Sequence, residues 1–227
     1  MPPASQVRNI FTRIAPYYDL MNRLMTGGQD AGWRREVIRR ARLAPGDRLL
    51  DLGAGTGDLG REALRQQPAA RVTLSDFSIG MMRHGMRRSS SLAWSAADAL
   101  SLPFPDVTFD ALVSGFLLRN VADLPRALGE MHRVLKPGGR LVALDTTRPG
   151  RSLFTPFIWT YMHWIIPALG WLLTGQRDAY TYLPDSSESF LRAEDLALRL
   201  SAAGFSGVGY HRLNFGTIAI HWGEKVP

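Results

Sequence analysis

Residues 49–57 read Leu49-Leu50-Asp51-Leu52-Gly53-Ala54-Gly55-Thr56-Gly57, and this stretch decides the fold. The leucines give the pattern of a short buried strand. Three glycines at alternate positions then end it, and without Cβ atoms they let the backbone turn tightly and approach a flat ligand. An amphipathic helix is expected at Asp58–Gln66. Strand, glycine loop and helix together make the nucleotide-cofactor corner of an open α/β sheet. A tight strand-to-helix turn with no ligand is the bland alternative.

Spacing narrows the cofactor. A dinucleotide fingerprint places a third glycine at the start of the helix. Gly53 and Gly55 fit, but Asp58 holds the third slot. A carboxylate suits the helix dipole there and repels a pyrophosphate. A cofactor without phosphates fits better, and S-adenosylmethionine is one. Downstream, the strand Val72–Ser75 ends in Asp76, placed where a carboxylate can accept both ribose hydroxyls.

The chain has 227 residues, 45% of them hydrophobic, enough for one α/β domain with a lid. Its formal charge of +7 favours anionic partners, including an acidic membrane face. Arginine carries nearly all of that charge, since Lys136 and Lys225 are the sole lysines. Cysteine is absent, which excludes disulfides and thiolate chemistry and suits a cytoplasmic protein. The histidines show no metal-ligand spacing, so no metal is expected.

The pattern predicts N-terminal helices over 5–42, broken at Pro16 and at Gly27-Gly28, with a basic helix at Trp33–Arg42. Strands are expected near 48–52, 71–75, 92–96, 109–114 and 140–145, and helices near 58–66, 78–88 and 123–135. Lys136-Pro137-Gly138-Gly139 reads as the turn into the fifth strand. Right-handed crossovers put the strand ends on one rim, with Asp51, Asp76, Asp98, Ser114 and Asp145 at or near it. Residues 152–176 carry no Asp, Glu, Lys or Arg and include Trp159, Trp164 and Trp171. Pro156, Pro167 and Gly170 interrupt them, which suits an interfacial lid better than a span; a buried helix pair is the alternative. A helix at Glu194–Gly204 and two strands near 206–213 and 217–223, paired as an edge hairpin, complete the chain. The expected division is a helical cap at 1–44, a cofactor-binding core at 45–150, an apolar lid at 151–190, and a C-terminal helix and hairpin at 191–227.

Longer motifs carry a resemblance. "FTRIAPYYDLMN" at 11–22, "LDLGAGTGDL" at 50–59, "LPFPDVTFD" at 102–110, "LRNV" at 118–121, "HRVLKPGGRL" at 132–141 and "GTIAIHWGEK" at 216–225 resemble the ubiquinone/menaquinone biosynthesis C-methyltransferases over nearly the whole chain. The glycine loop and "LKPGG" are shared by many methyltransferases, whereas "YDLMN" and "LRNV" are more specific. The resemblance implies a Rossmann-like seven-stranded class I methyltransferase sheet with N-terminal helices and a helical lid. It implies S-adenosylmethionine as cofactor, and methyl transfer to a ring carbon of a prenylated quinol, demethylmenaquinol type. Another small molecule or a phospholipid headgroup is the alternative acceptor. A nucleic-acid-binding module rests only on the basic helix, and nucleic acid is not an expected partner.

The expected cofactor set is Asp51, Gly53, Gly55, Gly57, Asp76, Phe77, Asp98, Ala99 and Gly115; the resemblance gives Asp98 and Ala99 to the adenine. The chain departs from the family at Gly60, where threonine is common, and at Gly115-Phe116-Leu117, where Ser-Phe-Gly is common. Arg119, Asn120 and Asp145 are the candidate catalytic residues, each with a structural alternative: an ion pair, a turn cap, a loop cap. Tyr18 and Asp19 are read either as a cover over the ligands or as packing and a cap. His163, in the lid, is a candidate substrate contact or a structural histidine. The expected setting is the cytoplasm, with peripheral association at the inner face of the cell membrane as an option and a homodimer as one arrangement.

Overall fold

Leu49, Leu50 and Leu52 lie at 0–1% exposure because β1 (Arg48–Leu52) is covered on both faces, as an inner parallel strand must be. The computed structural model describes residues 4–148, 155–174 and 186–226. Within them a single sheet runs in the order β3-β2-β1-β4-β5-β7-β6. Its parallel part is β1, β2 (Arg71–Asp76), β3 (Ala93–Ala96), β4 (Phe109–Gly115) and β5 (Leu135–Thr146). The hairpin of β6 (Phe205–Leu213) and β7 (Ile218–Lys225) adds antiparallel, with β7 against β5 and β6 outermost.

Side-chain alternation sorts the two cores. Leu50, Leu112, Leu141 and Ala143 point to one face, where α6 (Leu124–Val134) and α9 (Ala193–Ala202) supply Leu128, Met131, Leu196 and Leu200. Leu49, Val113, Val142 and Leu144 point to the other, against Trp33, Val37 and Ile38 of α3 (Asp30–Ala41) and Leu59 and Ala63 of α4 (Asp58–Gln66). The Asp123 carboxylate caps α6 by accepting from the Arg126 N–H at 3.0 Å. Ser78 starts α5 (Ile79–Met86) in the same way.

The N-terminal helices α1 (Ala4–Ile14) and α2 (Tyr18–Met25) lie over the rim. They share a third cluster, Ile10, Ile14, Met21 and Ile166, with the lid. The lid comprises α7 (Thr155–Thr160), one π-helical turn at Tyr161–Ile165 and α8 (Ile166–Thr174). The Tyr161 hydroxyl ties it to α2 by donating to the Met25 carbonyl at 2.9 Å. Of the expected lid at 151–190, residues 151–154 and 175–185 lie outside the described residues.

One expectation needs correction. Lys136–Gly139 is not a turn before the fifth strand. β5 already pairs at Leu135 with Phe109, and the register then jumps so that Ala111 faces Arg140. The four residues bulge out of a continuous strand, with Gly138 at φ +74° taking the reversal. For residues 155–174 the alternative of a buried helix pair does not hold. Trp159, Trp164, Trp171 and Leu172 all face outward, while Ile166 is turned in. No helix among the described residues is long and apolar enough to cross a membrane.

Candidate active site

The carboxyl ends of β1, β2, β3 and β4 open a cleft. The Ser75 carbonyl holds its floor, accepting from the N–H groups of Gly53 at 2.8 Å and Ala54 at 2.9 Å. Gly53 has φ +71°, and a Cβ there would sit 3.0 Å from Leu117, so both conformation and space require glycine. Asp76 ends β2 beside the loop. Its Oδ2 accepts from Gly55 N and its Oδ1 from Ser78 N, each at 2.7 Å. Burial pushes the Asp76 carboxyl up, and the backbone N–H groups of Ser78, Gly55 and Phe77 oppose that. Three N–H donors leave the two carboxylate oxygens with lone-pair capacity for a further donor.

Gly53, Gly55, Asp76, Phe77, Asp98, Ala99, Gly115 and Asn120 all line this cleft. Asp98 is held by Leu100 N, which donates to its Oδ1 at 2.9 Å. Asp51 and Gly57 stand behind the wall. Gly57 begins α4 at φ +87°, packed against Leu74 and Trp94. Asp51 is 1% exposed, and its Oδ2 accepts from Gly60 N at 2.9 Å. Burial above all pushes its carboxyl up to about 7, with the negative charges of Asp76 and Asp58 adding to it. Gly60 is a packing position in this chain: a Cβ would lie 2.2 Å from Leu74 Cδ2.

α2 closes the cleft from above. The Thr56 hydroxyl of the glycine loop donates to Asp19 Oδ1 at 2.6 Å, and Arg88 pairs with the other Asp19 oxygen. Tyr18 lines this cleft and also a second, larger cavity of about 650 Å³. Phe11 and Phe116 are likewise shared between the two. Burial pushes the Tyr18 phenol up, while the Asn22 side chain and the Arg119 charge oppose this. The second cavity has mostly apolar walls drawn from α1, α2, the lid and the loop before β7.

Arg119 reaches that cavity from the one-turn 3-10 helix Leu118–Asn120. Its Nη1 donates to Asp145 Oδ1 at 2.5 Å, and its backbone N donates to Asp145 Oδ2 at 3.2 Å. Both side chains are nearly inaccessible, at 5% and 1% exposure. Asp145 therefore holds Arg119 in place and does not itself line the cavity. Asn120 Nδ2 donates to the Phe116 carbonyl at 2.9 Å, which fixes the turn, while its side faces the cofactor cleft. His163 lines neither cavity. It stacks on Trp159, and its Nε2 lies 3.3 Å from Glu188. Phe11 and Thr146 are wall residues that the sequence did not mark as such, and Phe116 and Leu117, also in the walls, stood out only as departures from the family pattern.

The cleft's own chemistry fits S-adenosylmethionine. An acid at the end of β2 suits ribose hydroxyls, Phe77, Met81 and Ala99 offer apolar surface to a base, and the glycine loop has no cation to hold a pyrophosphate. Leu117, packed on Gly53, keeps the slot narrow. Among the described residues there is no cluster of three metal-ligating side chains. Sheet order, glycine loop and strand-end acid define a class I S-adenosylmethionine-dependent methyltransferase.

The comparisons with known proteins narrow the class. The ubiE/COQ5 methyltransferase family pattern matches residues 3–225, and the chain belongs to that family. It is 45% identical over 221 residues to the ubiquinone/menaquinone biosynthesis C-methyltransferase UbiE of Desulfotalea psychrophila, covering 96% of this chain and 90% of that one. It is 43% identical to the demethylmenaquinone methyltransferase of Thermus thermophilus, covering 95% and 100%. Among solved structures, the [4+2]-cyclase SpnF superposes with a TM-score of 0.74 at 21% identity, covering 99% of this chain and 97% of that one. A Thermotoga maritima S-adenosylmethionine-dependent methyltransferase gives 0.68 at 19% identity, with 96% and 98% covered. At those identities the structural likeness speaks to the fold.

Proposed function

We propose that this enzyme methylates a ring carbon of a reduced, prenylated naphthoquinone of the demethylmenaquinol type, taken from a membrane surface. The observation that carries this is the apolar cavity of about 650 Å³ beside the cofactor cleft, which shares Phe11, Tyr18 and Phe116 with it. A flat ring with an isoprenoid tail suits such walls, and the volume falls in the usual ligand range. The names of the relatives supply the acceptor class. A phospholipid headgroup is served poorly, because the walls are mostly apolar and Arg119 is the one charged side chain among the described residues that lines them.

S-adenosylmethionine, when bound, supplies a sulfonium methyl whose sulfur takes the C–S electron pair. The candidate residues have separate tasks. Asp76 and Asp98 hold the cofactor from the β2 and β3 ends. Arg119 puts a fixed positive charge at the acceptor cavity and favours the ring oxygen as its phenolate, which makes the neighbouring carbon nucleophilic. Asp145 orients Arg119 through two hydrogen bonds. Tyr18, between the two spaces, keeps water out and aligns ring with methyl, work worth up to ~7–11 kcal/mol in the best cases.

Delivery from the bilayer is part of the reading. Phe157 and Phe215 line the cavity yet are 69% and 70% exposed, so its mouth is apolar outside as well as inside. The outward tryptophans of the lid and Leu20 and Leu24 of α2 extend that surface, with Arg13 and Arg23 exposed nearby in sequence. Each arginine near an anionic surface adds about 1 kcal/mol. The test of function is single-turnover conversion of reduced demethylmenaquinone by the purified enzyme, followed by mass spectrometry of the quinone. A mass gain of one methyl on the ring is expected. Methylation of lipid headgroups in its place, with no change in the quinone, would overturn the assignment. Vesicle flotation with phosphatidylglycerol should show binding that high salt weakens; a protein that never floats would remove the membrane from this account.

A further inference from the structure

The apolar cavity has a polar spot that the fold itself does not use. Thr146 lines it, is 7% exposed, and its hydroxyl has no hydrogen-bond partner among the described residues. Arg119 lines the same cavity at 5% exposure, and its Nε is likewise without a partner. Buried polar atoms are nearly always satisfied, and Asn22 Nδ2, from α2, is a third such atom on a lining residue, so the pair of orphans on Arg119 and Thr146 calls for an external partner.

The two are also built as one unit. Asp145 Oδ1 accepts from Arg119 Nη1 at 2.5 Å and from the backbone N of Thr146 at 2.8 Å. One carboxylate oxygen thus fixes the guanidinium and the start of the threonine. Strand alternation turns the Thr146 side chain to the face that Leu144 and Val142 occupy, the face on which the cavity lies. Its neighbour Thr147 is accounted for, donating to the Leu191 carbonyl at 3.2 Å.

We infer that Thr146 Oγ1 and Arg119 Nε together bind an oxygen of the acceptor ring, making Thr146 a substrate-contacting residue that selects oxygenated rings over plain hydrocarbons. Both offer donors, which matches a phenolate or hydroxyl oxygen. Apolar walls alone would accept any flat hydrocarbon, whereas a site built to hydrogen-bond an oxygen rejects the analogue that lacks it. This inference rests on the quinol reading of the cavity, and the test separates the two.

The variants are Thr146→Val, which keeps the shape and loses the hydroxyl, and Thr146→Ser, which keeps the hydroxyl. Trp33 lines the cavity and offers a fluorescence readout of binding. The probes are 1,4-dihydroxynaphthalene, kept reduced with dithionite, and naphthalene. Thr146→Val should weaken binding of the diol by roughly 2–13-fold, the scale of one net hydrogen bond between neutral groups. Naphthalene binding, S-adenosylmethionine affinity by calorimetry and the melting temperature should stay as in the parent. Thr146→Ser should restore the diol. In turnover, the valine variant should raise KM for a demethylmenaquinol analogue by a similar factor. Equal diol affinity in parent and valine variant, with the parent still methylating the quinol, would overturn the Thr146 assignment alone. A parent that neither prefers the diol over naphthalene nor methylates a quinol would overturn both readings. A valine variant whose S-adenosylmethionine affinity or melting temperature falls in step with the diol, without rescue by serine, would make Thr146 a packing residue.

Discussion

Asp51→Asn tests how the sheet treats a buried acid that has no cationic partner in contact among the described residues. The carboxyl sits at the end of β1 with one oxygen on Gly60 N and the other without a partner among the described residues. It ionises near 3.8 in an open chain and near 7 in the fold, chiefly because burial penalises the charge. Between those values the folded protein holds a proton that the unfolded chain has lost. Stability must therefore fall as pH rises from about 4 to about 7, the opposite of a salt-bridged carboxylate. The gap corresponds to roughly 4 kcal/mol once the pH exceeds both values. Asparagine keeps the size and can still accept from Gly60 N, but it has no charge to lose. Urea denaturation of parent and variant, without ligand, at pH 4, 5, 6, 7 and 8 gives the answer. The variant should match the parent near pH 4 and exceed it progressively, by a few kcal/mol at pH 8. Asp76, also pushed up by burial, slopes the same way in both proteins and drops out of the difference to first order. A difference that stays flat from pH 5 to pH 8 would refute the argument that Asp51 carries a buried proton.

Asp76→Ala should weaken S-adenosylmethionine binding by about 1.5–3 kcal/mol in calorimetry, since hydrogen bonds to a carboxylate are lost. Arg119→Ala leaves the Asp145 charge buried and unpaired, so the protein should lose about 3–5 kcal/mol of stability. Per folded molecule, single-turnover methyl transfer by that variant should also drop by ~10²–10³, and a rate near that of the parent would reduce Arg119 to an ion-pair role. Gly60→Ala drives a methyl into Leu74, and the overpacking should cost about 1–3 kcal/mol, read as a lowered denaturation midpoint with the slope unchanged. Replacing Trp164 and Trp171 by serine should abolish vesicle flotation while leaving the melting temperature within about a degree or two, because both side chains point outward.

How much of this was legible in the sequence depended on how local each signal was. The first strand and α4 fall where the leucine run, the glycine loop and the amphipathic spacing put them, and the edge hairpin follows from two β-patterns around Gly216. Helix α5 ends at Met86, two residues short of the expected 88, as helix termini commonly do. The bulge at Lys136–Gly139 was misread because Pro-Gly-Gly gives the same local signal in a turn and in a strand that bulges; only pairing at Leu135 distinguishes them. The direction of the lid tryptophans was not legible, since an uncharged segment shows no polar face to orient it. Thr146 escaped notice because a threonine at a strand end is unremarkable until Arg119, 27 positions earlier, is seen on the same cavity. The Arg119–Asp145 pair was visible only as two separate candidates, which the fold turned into donor and clamp.

Helix α2 is a party wall. Asp19 fastens it to the glycine loop on one side, and Tyr18, Met21 and Met25 line the apolar cavity proposed for the acceptor on the other. Two ligands that lean on one partition cannot be indifferent to each other. Whatever free energy the first occupant spends in settling that helix is spared to the second. The account is reciprocal, so the factor by which cofactor tightens acceptor equals the factor by which acceptor tightens cofactor. Loosening the Thr56–Asp19 tie would therefore show itself as lost cooperation between two sites that each still bind alone.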